Sequence, residues 1–374
     1  MIADHDQPWQ GMSNWLKRFD WWLILLLLLL MLGSLLILYS SNNDAHILWR
    51  QMLHFALAWS VFLFIMMVPS VLIRKLTPFL YVITIVLLIL VLFFGSSAGG
   101  AQRWLDLKFL RVQPSELAKL SVPMMVAWYA SRQAQLPRSQ DIFAIALFII
   151  FPVWFIFLQP DLGTAILVTA SGIIALFLAG LSWWFLGILI TLTAVILPVF
   201  WFWGIKDYQR QRILTLFNPE ADPFGAGYHI IQSKIAIGSG GVFGKGYMSG
   251  TQSQLAFLPE SSTDFIFAVL AEEHGLIGVT ILLTIYLLII LRGLYLSTRL
   301  TDRFACILSG SVFLTFFINV FVNIGMVSGF LPVVGLPLAL ISYGGSSILS
   351  LMVAFALAMN VHAGFMSDKE QEQL

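Results

Sequence analysis

The side chains best suited to chemistry lie in the segment 258–278, where a polar loop passes without a break into a strongly apolar run. Asp264 stands at the join, and Glu272 and Glu273 follow two to three turns later. A carboxylate placed where water gives way to hydrocarbon is costly unless it is paired or has a function. An acidic residue near the start of a helix can also simply stabilise the positive end of the helix dipole. Position alone leaves both interpretations of Asp264 open.

Two further segments place charged side chains at the edge of an apolar run. In the segment 111–119, Glu116 and Lys119 stand three residues apart and therefore share one face of a helix. In the segment 159–164, Asp161 falls at the hinge between two apolar runs. An ion pair between Glu116 and Lys119 could be purely structural, or it could belong to a site.

Polar and small residues in the last two apolar runs are expected to mediate helix contacts. Asn319 and Asn323 lie one turn apart, and asparagine pairs in membrane helices more often join helices than bind a substrate. Gly325 and Gly345 are small enough to let another helix approach closely. These runs are therefore predicted either to face a membrane partner or to pack within the bundle.

The composition defines the class of protein. Of the 374 residues, 59% are hydrophobic and only 10% are charged, whereas a soluble domain carries about 25% charged residues. The mean hydropathy is +0.90, which indicates a polytopic membrane protein. The formal net charge of +1 suggests no nucleic-acid partner. Cys306 is the only cysteine, so an intrachain disulfide and a thiolate metal site are excluded.

Apolar runs of roughly 20 residues, the length needed to cross a bilayer, predict about ten transmembrane helices in one all-α integral membrane domain (1–374). The first run is interpreted as a retained span and not as a signal peptide, because no small-residue cleavage site follows it. The predicted spans are 21–40, 51–69, 76–95, 114–131, 142–159, 162–180, 182–204, 263–291, 304–330 and 336–362.

Lysine and arginine in the short loops predict the orientation. These residues cluster at 17–18, 74–75, 132–138 and 292–303, which share one side if both termini are cytoplasmic. We therefore predict cytoplasmic tails at 1–20 and 364–374, and one large outer loop at 205–262 between helices 7 and 8. Five ionisable groups then converge toward the outer face, which favours a shared site over independent ion pairs. They are Arg111, Glu116, Lys119, Asp161 and Asp264.

The large loop has features of its own. The part 229–240 is predicted to be a short amphipathic element on or in the membrane surface. The glycine-rich part 238–250 predicts either a loop whose backbone approaches a ligand or a flexible turn. It is not a P-loop, because Ser239 and Gly246 replace required residues. Basic residues on the outer face, Arg210 and Arg212 among them, indicate an anionic ligand there.

Five motifs identify a family. They are RVQPSELAK (111–119), QPDLGTA (159–165), GYHIIQSKIAIGSGGVFGKGYMSGTQSQLAFLPE (227–260), TDFIFAVLAEE (263–273) and GLPLALISYGGSS (335–347). Together they resemble the SEDS family of shape, elongation, division and sporulation proteins, over nearly the whole chain after about residue 19. The chain departs from the family pattern at Ser262, where a histidine is usual, and at His274, where leucine is frequent.

The resemblance implies a peptidoglycan glycosyltransferase that polymerises lipid II at the outer face of the bacterial inner membrane during cell elongation. Its implied partners are a class B penicillin-binding protein, which cross-links the peptides, and other membrane proteins of the elongation complex. Inversion at the anomeric carbon needs one base and no covalent enzyme intermediate. Asp264 matches the catalytic aspartate of the family and is the expected base.

The departing pyrophosphate implies positive charge nearby, from basic side chains or from a divalent cation such as Mg²⁺ or Mn²⁺. Lys119 and Arg111 match family motif positions, and Arg210 and Arg212 are further candidates. Glu116 is expected to hold Lys119 in place. Asp161 is expected either to bind a metal or to shape the cavity.

Two other functions fit part of the pattern. A lipid II flippase would also carry buried charges, but alternating access places them near the bilayer midplane and not at one side. A non-catalytic scaffold that recruits the penicillin-binding protein would leave the outward charges without a task. The polymerase interpretation uses both the charges and the loop beside them.

Overall fold

The computed structural model describes residues 18–42, 44–98, 101–106, 111–133, 139–185, 187–188, 191, 194–195, 198, 207–222, 225–255, 257–258 and 260–372. The described chain is mostly helical, as the composition predicts. Its helices are α1 (Trp21–Asn42), α2 (Ala45–Met67), α3 (Ser70–Phe94), α4 (Pro114–Ala130), α5 (Ser139–Leu158), α6 (Leu162–Leu178), α7 (Asp207–Phe217), α8 (Ala226–Gly240), α9 (Thr251–Gln254), α10 (Ile266–Thr298), α11 (Arg303–Val327) and α12 (Gly345–Glu372). A 3₁₀ turn, Pro219–Ala221, lies between α7 and α8.

Seven of these helices are long and apolar enough to cross a membrane, namely α1, α2, α3, α5, α10, α11 and α12. The predicted spans 114–131 and 162–180 correspond to α4 and α6, which have 17 residues each. The predicted span 182–204 falls largely on residues outside the described ranges. A multi-pass membrane protein is therefore confirmed, and the count of ten helices stays a prediction.

The prediction for the last span is wrong at its start. Residues 336–344 form an irregular loop, and α12 begins only at Gly345. Leu340 within this loop and Gly335 directly before it have φ values of +62° and +71°, a backbone conformation that an α-helix does not contain. An apolar run of 27 residues thus divides into a buried loop and a helix.

A small sheet, which the sequence did not predict, occupies the loop between α3 and α4. Strands β1 (Ser96–Ala98), β2 (Ala101–Asp106) and β3 (Arg111–Val112) pair in the antiparallel order β1-β2-β3. Asp106 is paired with Arg111 in the β2–β3 register. The sheet places the segment 111–113 directly before α4.

Polar caps and prolines set where several helices begin. The Asp44 side chain accepts from the His46 amide ahead of α2, and Asp302 accepts from Ala305 ahead of α11. Such side chains satisfy amide groups that the first turn of a helix leaves without partners. Pro114 occupies the first turn of α4, where its missing N–H costs nothing.

α11 and α12 form the centre of the bundle. Of the seven spans they are the most enclosed, with 61% and 67% of their apolar windows buried. A Cβ added at Gly325 would meet the Leu331 side chain, and one at Gly345 would meet His54. These two glycines therefore contact other parts of the chain, and the surface that faces the partner stays a prediction.

α10 is broken at Gly275, which has φ +61° and ψ −157°. The turn 241–246 fills the break with backbone hydrogen bonds. The amides of Lys245 and Gly246 donate to the carbonyls of Glu272 and Glu273, each at 3.0 Å. On the other side of the break, the Leu276 amide donates to the carbonyl of residue 241, also at 3.0 Å. Broken membrane helices are tolerated where other protein groups satisfy the freed backbone.

Buried carboxylates fasten the same turn through their side chains. Lys245 Nζ donates to Glu272 Oε1 at 2.7 Å, and Ser40 Oγ on α1 donates to Glu273 Oε1 at 2.5 Å. A Cβ at Gly244 would lie 2.1 Å from the Glu273 carbonyl oxygen, so only glycine allows this approach. The glycine-rich segment thus bridges a helix break, a role that neither sequence interpretation included. The first part of α10, which follows Asp264, is held from three sides.

Candidate active site

Asp264 lies in the turn just before α10, outside the membrane-spanning segment. Phe265 is the N-terminal capping residue of α10 and makes no side-chain cap bond. In the described part of the chain, no hydrogen bond or ion pair within 4.0 Å reaches the Asp264 carboxylate. Asp264 is therefore not a hydrogen-bonding helix cap, which leaves its carboxylate available for a substrate.

The surroundings of Asp264 favour a proton acceptor. The pKa of Asp264 is raised to about 6, chiefly by burial and also by the Glu260 carboxylate, while the Arg212 guanidinium acts in the opposite direction. A general base works best when its pKa lies near the working pH. At neutral pH Asp264 is mostly ionised yet basic enough to accept a proton.

A buried loop, residues 331–344, lies beside the Asp264 turn and is called the central loop below. Ser342 Oγ donates to the Thr263 carbonyl at 2.5 Å, and the Tyr343 amide donates to the Ser262 carbonyl at 2.8 Å. A Cβ at Gly335 would lie 3.5 Å from Asp264 Oδ2. The absence of a side chain at residue 335 therefore keeps space open directly at the carboxylate.

The central loop also contacts α7 and α6 near Asp264. Arg212 Nη1 on α7 donates to the Val333 carbonyl at 3.1 Å. A Cβ at Gly163, in the first turn of α6, would lie 2.8 Å from the Val334 carbonyl oxygen. Arg210 lies two residues before Arg212 on α7 and therefore on a different face of that helix. Of the two arginines predicted in the large loop, the structure brings Arg212 to the electrostatic surroundings of Asp264.

A cavity of about 630 Å³ lies between α2, α4 and α12, next to the end of the central loop. Its polar lining includes Arg50, His54, Arg111 and Glu116. Its apolar walls are formed by Leu57, Leu117, Leu120, Leu349 and Val353. Tyr343 also lines it and connects it through the backbone to the Asp264 turn. This arrangement suits a molecule with an anionic head and an apolar tail.

Arg50 and His54 were missed as site residues by sequence reasoning. The signal available for Arg50 was its position as the single basic residue of the first outer loop. His54 carried no signal, because it stands within an apolar run. Only the packing of α2 against α12 places both side chains at the cavity.

The expected pair of Glu116 and Lys119 is present. Lys119 Nζ donates to Glu116 Oε1 at 2.7 Å, and both side chains are about nine-tenths buried. Ser350 Oγ on α12 donates to the other carboxylate oxygen at 2.5 Å. Glu116 lines the large cavity, whereas Lys119 points to a separate small cavity of about 30 Å³ beside Asn319. Glu116 thus lies between Lys119 and the large cavity.

Arg111 lies at the rim of the same cavity and is largely exposed. Its Nε donates to Asp106 Oδ1 at 2.6 Å across the β2–β3 pair. The hydrogen bond to Arg111 lowers the pKa of Asp106, and the same bond raises the pKa of Arg111. The pair orients the guanidinium toward the cavity entrance.

Asp161 caps the start of α6 and is enclosed by donors. It accepts from the Thr164 amide at 3.4 Å, from Gln113 Nε2 at 3.2 Å and from Ser115 Oγ at 3.4 Å. Arg103 Nη1 lies 3.7 Å from its Oδ1. These partners join α6, α4 and β2, so the geometry favours the cavity-shaping role over the metal-binding role for Asp161.

Across the residues that the structure describes, no three His, Cys, Asp or Glu side chains come together in a metal-binding cluster. Mg²⁺ is commonly held by one or two carboxylates, with substrate phosphates and water completing its shell. Glu260, whose carboxylate acts electrostatically on Asp264, fits this second arrangement.

Comparison with known proteins identifies the family of the chain. Residues 15–365 match the family model of FtsW, RodA and SpoVE, described as a cell cycle protein. The chain belongs to this family of polytopic membrane proteins, which is the SEDS family that the motifs indicated.

Relatives and solved structures refine the placement. The peptidoglycan glycosyltransferase MrdB of Escherichia coli is 51% identical over 323 residues, covering 86% of this chain and 87% of that protein. The peptidoglycan glycosyltransferase RodA of Treponema pallidum is 30% identical, covering 86% and 92%. A chain from a peptidoglycan synthase complex that coordinates polymerization and crosslinking superposes with a TM-score of 0.80 at 32% identity, covering 92% and 97%. The rod shape determining protein RodA of Thermus thermophilus gives 0.71 at 28%, covering 92% and 96%.

Proposed function

We propose that this protein is a peptidoglycan glycosyltransferase that polymerises lipid II into glycan strands during cell elongation. The observation that carries the proposal is the Asp264 carboxylate, which has a raised pKa, is influenced by the charge of Arg212 and is connected through the backbone of Tyr343 to an amphipathic cavity. Relatives that carry the name peptidoglycan glycosyltransferase support it.

In this mechanism Asp264 is the general base. It accepts the proton of the acceptor sugar hydroxyl while the oxygen attacks the anomeric carbon of the donor and the bond to undecaprenyl pyrophosphate breaks. A single displacement inverts the configuration at that carbon. General-base catalysis of this kind is typically worth about 10²–10⁴-fold in rate.

The basic residues offset the charge of the pyrophosphate, each from its own position. Arg111 lines the large cavity together with Arg50, and the apolar walls there suit a polyprenyl chain. Arg212 serves the region of Asp264. Glu116, held by Lys119 and Ser350, contributes to the polar lining of the same cavity. A divalent cation, Mg²⁺ or Mn²⁺, would supply further positive charge to the leaving group, and Glu260, whose carboxylate acts on Asp264, is the residue that would hold it.

The proposed setting is the bacterial inner membrane, with ten spans, both termini in the cytoplasm and 205–262 in the periplasm. The basic short loops support this orientation. We propose a class B penicillin-binding protein as the partner, since a structural neighbour comes from a complex that couples polymerization to crosslinking. Other membrane proteins of the elongation complex would join the same assembly.

The broken helix α10 is the observation that favours the flippase alternative most, because discontinuous helices are typical of transporters. Gly275 lies nine residues after the start of α10 at Ile266, about 14 Å along the helix axis and roughly half the thickness of the bilayer core. However, the backbone of the turn 241–246 fills the break, which leaves no open ligand site there. The polymerase assignment rests instead on Asp264 and the other charged groups at the outer face.

The direct test is glycan synthesis from lipid II by the purified protein with its partner. Asp264→Asn keeps the size of the side chain and removes the base, so polymerisation should fall by at least about 10²-fold. Asp302→Asn is a suitable control, since Asp302 caps α11 and pairs with Arg74. Polymerisation near the wild-type rate by a folded, partner-bound Asp264→Asn protein would disprove the assignment.

A further inference from the structure

Asn323, on α11, contacts the backbone of the proposed base. Its side chain is fully buried four residues before the end of α11 at Val327. Its amide nitrogen donates to the Asp264 carbonyl at 3.0 Å and to the Leu336 carbonyl at 2.6 Å. One side chain therefore binds both the turn that carries the carboxylate and the central loop.

The two carbonyls belong to the residue that carries the reacting group and to the loop that packs beside it. Leu336 directly follows Gly335, whose missing side chain leaves the space at Asp264 Oδ2. The distance between the Asp264 turn and the central loop sets the width of that space. Asn323 fixes this distance from a rigid helix, whereas Ser342 and Tyr343 act from within the loop itself.

The chemistry of the contact requires a primary amide. Both N–H groups of Asn323 are used, one for each carbonyl, while its Oδ1 is buried without a partner among the described residues. Leaving a buried acceptor unsatisfied has a cost in free energy. Aspartate would present oxygen to two carbonyl oxygens, and serine has only one donor. The sequence predicted that this asparagine joins helices, and the structure shows it joining α11 to two loops.

We propose that Asn323 is a positioning residue for the polymerisation reaction, which holds Asp264 and the central loop at the spacing that the attack on the anomeric carbon requires. This inference rests on the proposed function of Asp264. Asn323 itself does not touch the substrate. Its removal should slow the chemical step and leave substrate binding unchanged.

Asn360 provides a matched control within the same chain. It is a buried asparagine on α12, its amide donates to the carbonyls of Ile65 and Val68 at 2.8 and 2.7 Å, and its Oδ1 also lacks a partner among the described residues. It lies fifteen residues after the start of α12, about 22 Å along the helix axis. The two asparagines thus have the same bonding and differ in their distance from Asp264.

The experiment compares Asn323→Ala with Asn360→Ala in lipid II polymerisation, with the protein purified together with its partner. Both variants lose two hydrogen bonds, so their melting temperatures should fall by similar amounts. In Asn323→Ala kcat should fall by about 10- to 100-fold with KM for lipid II unchanged, since a misplacement of about 1 Å can cost about 100-fold. Asn360→Ala should keep its kcat. Asn323→Ser, which retains one donor, should lose less and serves if the alanine variant does not fold.

A second arm tests whether the effect passes through Asp264. Asp264→Glu already displaces the carboxylate, so adding Asn323→Ala should cost less than it does in the wild type. A kcat loss no larger than that of Asn360→Ala, or fully additive losses in the double variant, would overturn the inference. An active Asp264→Asn protein would instead refute the proposed function, so the two failures can be distinguished.

Discussion

Replacing Asp264 by asparagine should make the protein more stable and inactive at the same time. Burial and the neighbouring Glu260 raise the pKa of this carboxylate from 3.8 to about 6. The folded state therefore prefers the protonated form more strongly than the unfolded state does. The favourable contribution is fully present below about pH 4 and is lost as the pH rises through 6. Asparagine resembles the protonated form and does not ionise.

The size of the effect follows from the same pKa difference. One pH unit between the folded and unfolded pKa values is worth about 1.4 kcal/mol, so the change from 3.8 to about 6 corresponds to about 3 kcal/mol at full ionisation. Solvent reaches the half-buried carboxylate, so the measured gain should not exceed this value. With an unfolding entropy of about 2.1 cal/mol/K per residue, this chain should show a rise in Tm of up to about 4 °C.

The assay is thermal unfolding in detergent at a fixed scan rate between pH 4 and pH 8, with polymerisation measured in parallel. The Asp264→Asn variant should match the wild type near pH 4 and exceed it above pH 6. Wild-type polymerisation should decline as the pH falls through about 6, because the base becomes protonated. A variant that is equally or less stable above pH 6, or a gain that does not depend on pH, would refute the reasoning about burial.

Three other outcomes are expected. Glu116→Gln or Lys119→Met alone should lower the free energy of unfolding by about 3–5 kcal/mol, because each leaves a buried charge unpaired. The double variant should fold without recovering polymerase activity. Recovered activity would show that the pair is purely structural. Gly244→Ala should lower Tm and activity, because the added Cβ collides with the Glu273 carbonyl. The control Gly33→Ala should raise or keep Tm, because nothing lies within 4 Å of its added Cβ. Equal effects of the two variants would argue against the helix-bridging role of the turn 241–246. A reporter fused near Gly240 should be active on the periplasmic side, and activity confined to the cytoplasm would reverse the proposed topology.

Much of the protein could be predicted from local sequence. Long apolar runs with few charges require membrane helices, because an unpaired backbone is too costly in hydrocarbon. The spacing of Glu116 and Lys119 predicts their pairing, since residues three apart share a helix face. Asp264 could be singled out because a carboxylate at the edge of an apolar run demands an explanation. Each of these inferences needs only neighbouring residues.

Hydropathy did not separate the buried loop 331–344 from the helix that follows it. Both are apolar because both are enclosed by protein. The hydropathy of a residue inside a bundle is the same as that of a residue facing lipid. The glycine-rich turn 241–246 gave an equally ambiguous signal, because its partner is the backbone of α10 at residues 272–277. Backbone hydrogen bonds leave no pattern in the amino-acid sequence, because they do not depend on which side chains the residues carry.

The assembly of the site was decided by tertiary structure alone. Asn323 and Asp264 are 59 residues apart in sequence and Ser350 and Glu116 are 234 apart, and no local pattern records such distances. Arg50 and His54 join the cavity only because α2 packs against α12. Local sequence therefore indicates which charged and polar groups are candidates for the site. The packing of helices that are far apart in sequence determines which of these groups meet around the Asp264 carboxylate.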